Sequence, residues 1–155
     1  MITGTSEKSG VLLTFMGVCG IIAERSDTME FIKSTEIKEL SNPGVVSRQL
    51  LNPDNSESKR VTITEVHLEV GACQPRHTHD ASEQIWYAVK GSGTLLLEND
   101  TTMPFNVGDV VRFADTNVHG LLNDGDEEFI YISVTAPPIH FGYAYKDEKL
   151  SLIHI

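Results

Sequence analysis

The sequence lacks clusters of basic residues. Its 155 residues include 12 Lys and Arg against 22 Asp and Glu, a formal charge of -10 at pH 7. Nucleic acids and anionic membranes are bound by clustered Lys and Arg that displace counterions, so this composition argues against both partners. Cysteine is also scarce: Cys19 and Cys73 are too few for a disulfide framework and are compatible with a reducing, cytoplasmic compartment. No Gly-rich phosphate loop, Ser-His-Asp order or paired-Cys zinc pattern is present.

The sequence also has no run long enough for a transmembrane helix. Its apolar stretch at residues 11–23 falls short of the roughly 20 residues that cross a bilayer. Two explanations of this stretch stay open: a signal peptide, since Lys8 precedes it, or a translated extension upstream of a natural start at Met29. We favour the extension. The expected organisation is then an N-terminal extension at 1–28, one domain at 29–148 and a tail at 149–155.

The sequence has no internal repeats or low-complexity tracts. Turn residues divide most of it into short segments, as in a β protein. One helical turn is expected near Ser34, ended by Asn42, Pro43 and Gly44. From Val45 onward, segments rich in Val, Ile, Thr, Leu and aromatics alternate with turn residues at intervals of about 8 to 12 residues. The pattern predicts strands near 45–51, 61–70, 83–90, 94–98, 101–105, 109–113, 118–122 and 127–135. This strand number is typical of an all-β jelly roll.

Two histidines between the second and third predicted strands indicate a metal site. His77 and His79 are separated by one residue, so on an extended chain both imidazoles project from the same side, about 6.5 to 7 Å apart. Imidazole is a favoured neutral ligand of first-row metals. The pair alone is a weak signal because it often arises by chance.

The spacing around this pair strengthens the prediction. The segment GACQPRHTHDASEQIWYAVKG, residues 71–91, resembles the first motif of the cupin family, in which a glycine, an H-x-H pair, an acidic residue and a second glycine are regularly spaced. The segment GDVVRFADTNVHGLLN, residues 108–123, resembles the second motif through Gly108, His119 and Asn123. Ala114 and Thr116 stand where the family has Pro and Gly.

The resemblance covers about residues 45–136. It implies a cupin jelly-roll barrel, also called a double-stranded β-helix, that forms a homodimer. It also implies one divalent metal ion, Zn, Ni, Fe or Mn, bound by His77, His79, His119 and a fourth ligand.

The fourth ligand is either Glu83 or Gln84. The family spacing counted from His79 leads to Glu83, and counted back from Gly91 it leads to Gln84. Neighbours on a strand point to opposite faces, so only one of them can reach the ion. We expect Gln84, because some cupins are similar in having Gln at this place and because Trp86 would then point inward with it. The expected metal ligands are therefore His77, His79, Gln84 and His119.

The resemblance does not name a reaction, because cupins include dioxygenases, isomerases, sugar-modifying enzymes, storage proteins and sensors. The small cupins that linearise unsaturated uronates are similar in size, in the opening GVVSRQLL at 44–51 and in a last strand that ends in proline. In those cupins the last strand is expected to supply an acidic, an aromatic and a basic residue. Here the corresponding places hold Ser133, Thr135, and Ile139 or His140.

Two hypotheses about function follow. The protein is either a metal-dependent enzyme acting on a small polar molecule, such as a sugar acid or, with iron, a dioxygenase substrate, or a non-catalytic module that binds or senses such a molecule. An anionic sugar would need positive charge beyond the metal, and the candidates are Arg48, Arg60, Arg76 and Arg112. The identity of any catalytic residue stays open.

Overall fold

The structure is a computed structural model that describes residues 29–145. These residues form ten strands in two antiparallel sheets. In chain order the strands are β1 (Lys38–Asn42), β2 (Val45–Leu51), β3 (Thr62–Leu68), β4 (Cys73–His77), β5 (Glu83–Lys90), β6 (Ser92–Leu97), β7 (Thr102–Asn106), β8 (Val110–Phe113), β9 (His119–Leu122) and β10 (Phe129–Ala136).

The two sheets face each other across the interior of a barrel. One sheet has six strands in the order β1-β2-β3-β10-β5-β8, and the other has four in the order β4-β9-β6-β7. Consecutive strands β4 and β5 lie in different sheets, as in a jelly roll. The predicted fold class, an all-β jelly roll or double-stranded β-helix, is confirmed.

Alternating burial along the strands fixes which side chains enter the barrel. Burial alternates without interruption along β3 and β10, and the inward positions of the six-stranded sheet carry Val45, Leu68 and Phe129 in register. These residues form one end of the core together with Leu95, Phe105 and Leu121. Burying each large apolar side chain is worth about 1.5 to 3 kcal/mol, so this end of the barrel stabilises the fold.

The structure corrects two features of the predicted element order. Residues 38–42 form β1 rather than a continuation of a helical turn, and Pro43 and Gly44 link it to β2, with Gly44 at φ +73°. Residues 73–77 form β4, which was not predicted as a strand. Both segments are short, and neither shows the regular alternation of buried and exposed positions seen in β3, so the sequence carried little strand signal.

The only regular helices among residues 29–145 are three 3-10 segments, Ser34–Glu36, Glu98–Asp100 and Phe141–Tyr145. The single helical turn predicted near Ser34 is present. The other two 3-10 segments were not predicted from the sequence. None of the helices in the described part of the chain has the length and hydropathy that a membrane span requires. The expected N-terminal extension, Cys19 and the expected tail lie outside the described residues.

Candidate metal centre

Three histidines from two distant stretches of the chain meet inside the barrel. His77 ends β4, His79 follows it in the next loop, and His119 begins β9, directly opposite His77 in the strand register. The ring centroids lie 4.3 Å apart for His77 and His119, 5.0 Å for His77 and His79, and 5.3 Å for His79 and His119. Their potential ligand atoms all lie within 4.8 Å of one another, which is close enough to share one ion.

A glycine beside His119 allows the two strands to approach so closely. A Cβ atom on Gly120 would lie 2.7 Å from the Gln74 carbonyl oxygen and 2.9 Å from the Arg76 amide nitrogen. The pairing of β4 with β9 shifts register between Gln74 and His77, as at a β-bulge. Gly120 therefore leaves room for the bulge that brings His77 opposite His119.

Backbone carbonyls orient two of the rings. The Nδ1 atom of His77 lies 2.9 Å from the Pro75 carbonyl oxygen, and the Nδ1 atom of His119 lies 2.8 Å from that of Asn117. A carbonyl oxygen can only accept, so each Nδ1 carries the proton and each Nε2 presents a lone pair. Metal-ligating histidines are commonly oriented in this way by the other ring nitrogen.

Burial keeps the three imidazoles neutral. His79 is only 7% exposed and His119 only 1% exposed. Desolvation lowers the pKa of His79 to about 4 and that of His119 to about 3, and it also lowers the pKa of His77. At neutral pH the rings are therefore in the unprotonated form that binds metals.

The side chain of Gln84 adds an oxygen to this cluster. Its Oε1 accepts a hydrogen bond from Trp86 Nε1 at 3.0 Å and lies 3.1 Å from His119 Nε2. Its Nε2 donates to Thr135 Oγ1 at 3.0 Å. The Trp86 N–H can only donate, so it fixes which end of the Gln84 amide faces the histidines.

Glu83 faces the opposite way. Its Oε2 accepts a hydrogen bond from Arg112 Nε at 2.6 Å on the outer side of β5. Gln84, by contrast, is only 3% exposed and points inward with Trp86. Of the two alternatives for the fourth ligand, the geometry brings Gln84 to the histidines and leaves Glu83 outside.

The cluster has the donor set of a metal site. The lone pair of His119 Nε2 faces the Oε1 of Gln84 with no proton between them, and His79 Nε2 is buried without a hydrogen-bond partner among the described residues. Buried polar atoms are normally paired, so these acceptors call for a positive partner. Metal bonds of roughly 2.0 to 2.2 Å place neighbouring ligands of one ion about 3 Å apart, which fits the 3.1 Å separation. His77, His79 and His119 could hold a metal ion.

Aromatic rings enclose the cluster. Phe113 stacks on His119 with a centroid distance of 4.4 Å and an interplanar angle of 13°, and Trp86 approaches the same ring at 5.3 Å. Phe141, in the last 3-10 segment, lies 5.9 Å from the ring of His79. No local pattern in the sequence marks Gly120, Phe113 or Phe141 as site residues, because only the folded chain brings them beside the histidines.

Other residues considered from the sequence lie elsewhere. His140 is exposed, and its Nδ1 lies 3.6 Å from Asp54 Oδ1. Asn123 is fully buried, and its Nδ2 donates to the carbonyl oxygens of Leu68 and Glu127. Its role is therefore to connect two backbone segments. Ser133 and Thr135, by contrast, are buried on the inner face of β10, and Thr135 Oγ1 accepts the hydrogen bond from Gln84 Nε2.

The candidate arginines are directed away from the histidines. Arg48 pairs with Glu65 on the outer face of β2 and β3. Arg112 pairs with Glu83, and the Nε of Arg76 donates to the Leu97 carbonyl oxygen while its Nη1 lies 3.4 Å from Asp100. Arg60 is exposed. The structure therefore places none of these four guanidinium groups in the barrel interior.

A two-sheet β-barrel with an inward cluster of imidazoles defines the structural class. Residues 64–135 of the chain match the model of the cupin domain family. This match supports the interpretation of the barrel as a cupin. An uncharacterized protein of Methanocaldococcus jannaschii is 26% identical over 126 residues, which are 79% of this chain and 97% of that protein.

Two solved structures resemble the chain in fold. KdgF from a Halomonas species has a TM-score of 0.62 at 20% identity, over 72% of this chain and 96% of that one. A sugar phosphate isomerase of the cupin superfamily from Silicibacter pomeroyi has a TM-score of 0.59 at 21% identity, over 69% and 75% of the two chains. At these identities the likeness shows a shared fold and nothing about the reaction.

Proposed function

We propose that the protein binds one divalent metal ion through His77, His79 and His119, with Gln84 as the fourth ligand, and uses it to bind or transform a small polar molecule. The observation that carries this proposal is the convergence of neutral, buried nitrogen lone pairs on one point, with His79 Nε2 lacking a partner among the described residues. A set of three imidazoles and an amide oxygen suits Zn, Ni, Fe or Mn.

When bound, such an ion supplies Lewis-acid activation of an oxygen atom of the ligand. The chain's own contribution is to hold the donors. Carbonyl oxygens fix the tautomers of His77 and His119, Trp86 fixes the amide of Gln84, and the ring of Phe113 packs on that of His119. All four donors are uncharged, so the ion would keep its full charge towards the ligand.

A sugar or sugar acid is the ligand class that we favour. It is supported by the resemblance of the sequence to the uronate-linearising cupins, and the structural neighbours include a sugar phosphate isomerase. The acidic, aromatic and basic residues expected on the last strand of those cupins are replaced here by Ser133, Thr135, and Ile139 or His140. Turnover of a uronate would therefore have to use another proton donor.

The metal proposal is tested by elemental analysis of the purified protein and by titration of the metal-free protein with Zn²⁺. The wild type is expected to hold one ion per chain. Gln84→Leu removes the amide oxygen and is expected to weaken Zn²⁺ binding at least tenfold. Glu83→Gln is the matched control and should leave binding unchanged, because Glu83 faces Arg112 outside the barrel. A weaker affinity in Glu83→Gln with a normal one in Gln84→Leu would contradict the assignment.

Catalysis is tested with unsaturated uronates. Turnover that disappears in His79→Ala, together with the metal, would support a metal-dependent enzyme. Iron in the elemental analysis would instead direct the search to oxygen-dependent substrates.

A non-catalytic binding or sensing role is the second candidate, and one observation favours it. Where the uronate-linearising cupins are expected to carry an acidic residue, this chain has the uncharged Ser133, and His140, a candidate for the basic residue, is exposed beside Asp54. General acid-base catalysis needs a titratable group within hydrogen-bond reach of the substrate. Stabilisation of the metal-loaded protein by a ligand, without turnover, would support this role.

A further inference from the structure

The loop between β8 and β9 contacts both stretches of the chain that carry the histidines. We call its residues 114–117 the bridging loop. The amide nitrogen of Thr116 donates to the His79 carbonyl oxygen at 2.8 Å. The carbonyl oxygen of Asn117 accepts a hydrogen bond from His119 Nδ1 at 2.8 Å. The backbone of the bridging loop therefore joins the two histidine-bearing stretches.

The side chain of Asn117 closes this loop. Its Oδ1 accepts a hydrogen bond from the Ala114 amide nitrogen at 2.8 Å, and its own amide nitrogen donates to the Ala114 carbonyl oxygen at 3.1 Å. Thr116, between them, has a φ of +66°, which is unfavourable for a β-branched residue. Because Thr116 disfavours this shape, the two hydrogen bonds between Ala114 and Asn117 are what stabilise the bridging loop.

The residue types in the bridging loop explain why it needs a hydrogen-bonding side chain. Ala114 and Thr116 stand where the second cupin motif has Pro and Gly. A Pro at position 114 would fix φ and would have no N–H, and a Gly at position 116 would adopt a positive φ without strain. With Ala114, an N–H has to be satisfied, and Asn117 Oδ1 accepts its hydrogen bond.

The shape of the bridging loop affects both histidine-bearing stretches at once. If the loop left this shape, the ring of His119 would lose the acceptor that orients it, and the backbone at His79 would lose its hydrogen bond. When only a fraction of the metal-free protein is competent to bind, the measured dissociation constant rises by the inverse of that fraction. Loss of one hydrogen bond of ordinary strength in the loop would therefore weaken metal binding about two- to tenfold.

We infer that Asn117 is a positioning residue of the metal centre, which holds the bridging loop in the shape that directs His79 and His119 towards one ion. This inference rests on the proposed metal site. Asn117 is not one of the proposed ligands: its side chain acts on Ala114, and its effect on the ion passes through the backbone. Asn117 is also exposed, so that its side chain can be removed without opening a cavity in the core.

Asn117→Ala tests this role by titration of the metal-free protein with Zn²⁺. The affinity is expected to fall about two- to tenfold, because the loop loses the acceptor for the Ala114 N–H. Unchanged affinity would overturn the inference, even if urea unfolding of the metal-free variant showed a loss of stability. Such a result would mean that Asn117 stabilises the loop without positioning the histidines.

The turn between β7 and β8 offers a matched control. There, Asp109 Oδ2 accepts from the Asn106 amide nitrogen at 2.8 Å, and the Asp109 amide nitrogen donates to the Asn106 carbonyl oxygen at 2.9 Å. The length of β8, about 13 Å, separates this turn from the bridging loop. Asp109→Ala should lower the stability of the metal-free protein and leave Zn²⁺ affinity unchanged in about 0.15 M salt, which screens the lost charge. Equal weakening of Zn²⁺ binding in Asp109→Ala and Asn117→Ala would overturn the inference.

Two further variants separate positioning from a loss of stability. Asn117→Asp keeps an acceptor oxygen and should bind Zn²⁺ at least as tightly as the wild type. In the double variant Ala114→Pro and Asn117→Ala, the Pro removes the N–H and fixes φ, so the affinity should return to within about twofold of the wild type. If the double variant does not fold, Asn117→Asp decides: binding as weak as that of Asn117→Ala would overturn the inference.

The zinc content of the wild type separates this inference from the proposed function. If the wild-type protein binds no metal, the proposed function fails, and the inference fails with it. If the wild type holds one ion and Asn117→Ala binds Zn²⁺ as tightly, only the inference about Asn117 fails.

Discussion

Acidification of the metal-free protein should reveal how strongly the fold desolvates its histidines. In the folded chain, burial lowers the pKa of His79 to about 4 and that of His119 to about 3, from an ordinary value of 6.5. Below pH 6.5 the unfolded chain therefore binds protons at these two histidines that the folded chain does not bind. The stability that these two histidines contribute is fully present above pH 6.5. It falls as the pH drops towards the pKa values of the folded chain.

The size of this loss follows from the pKa difference. At pH 5 the solution is about 1.5 pH units below the unfolded-state pKa of 6.5, and each unit is worth about 1.4 kcal/mol. The loss is then about 2 kcal/mol for each of His79 and His119, or about 4 kcal/mol for the two together. The carboxylates Glu30 and Glu65 have pKa values lowered from 4.5, so their contribution is lost only as the pH falls through that value.

Urea unfolding followed by tryptophan fluorescence measures this loss. Trp86 is the only tryptophan in the sequence and is 1% exposed. Its ring centroid lies 4.6 Å from that of Tyr131, so its fluorescence emission reports on the core. The wild type, kept in chelator, is compared at pH 8 and pH 5 with a double variant, His79→Gln and His119→Gln. If the double variant loses as much stability as the wild type, the reasoning is wrong. His67→Gln, on the outer face, serves as the control that keeps the full loss.

Three further predictions concern other parts of the chain. Thr116 has a φ of +66°, which is unfavourable for a β-branched residue, so Thr116→Gly should raise the free energy of unfolding by about 1 kcal/mol in a urea titration; a loss would show that the hydroxyl matters more than the backbone. Gly120→Ala should push the β4 bulge away and weaken Zn²⁺ binding at least tenfold by calorimetry, because its Cβ would lie 2.7 Å from the Gln74 carbonyl oxygen; normal affinity would mean that the strands can separate without moving His77. The homodimer implied by the resemblance would cover the exposed Tyr87 on β5, so Tyr87→Arg should give the mass of one chain by light scattering where the wild type gives that of two.

The sequence predicted the parts of the site that depend on local periodicity. Side chains alternate along a strand, so the separation of Gln84 from Trp86 by one residue was enough to place them on the same face, as the structure has them. The fixed spacing of two motifs likewise indicated that His77, His79 and His119 lie together. These features need no knowledge of how the strands pair.

The features that the sequence did not predict depend on partners far away in the chain. β1 is exposed and forms through pairing with β2, so its own residues carry little pattern. The role of Gly120 becomes visible only when β4 lies against β9. The outward direction of Arg48 and Arg112 follows from their carboxylate partners on neighbouring strands. Long-range pairing of this kind leaves no local signal that a sequence pattern could carry.

The contrast between the surface and the interior explains why a neutral ligand set suits this chain. The formal charge is -10, yet no carboxylate of the described residues is buried. A Glu at position 84 would place one negative charge in the barrel, next to the ion, and would cancel part of the attraction for an anionic ligand. The amide of Gln84 keeps the oxygen, retains the hydrogen bonds with Trp86 and Thr135, and adds no charge. The negative charge that balances the proposed ion could then come from the ligand.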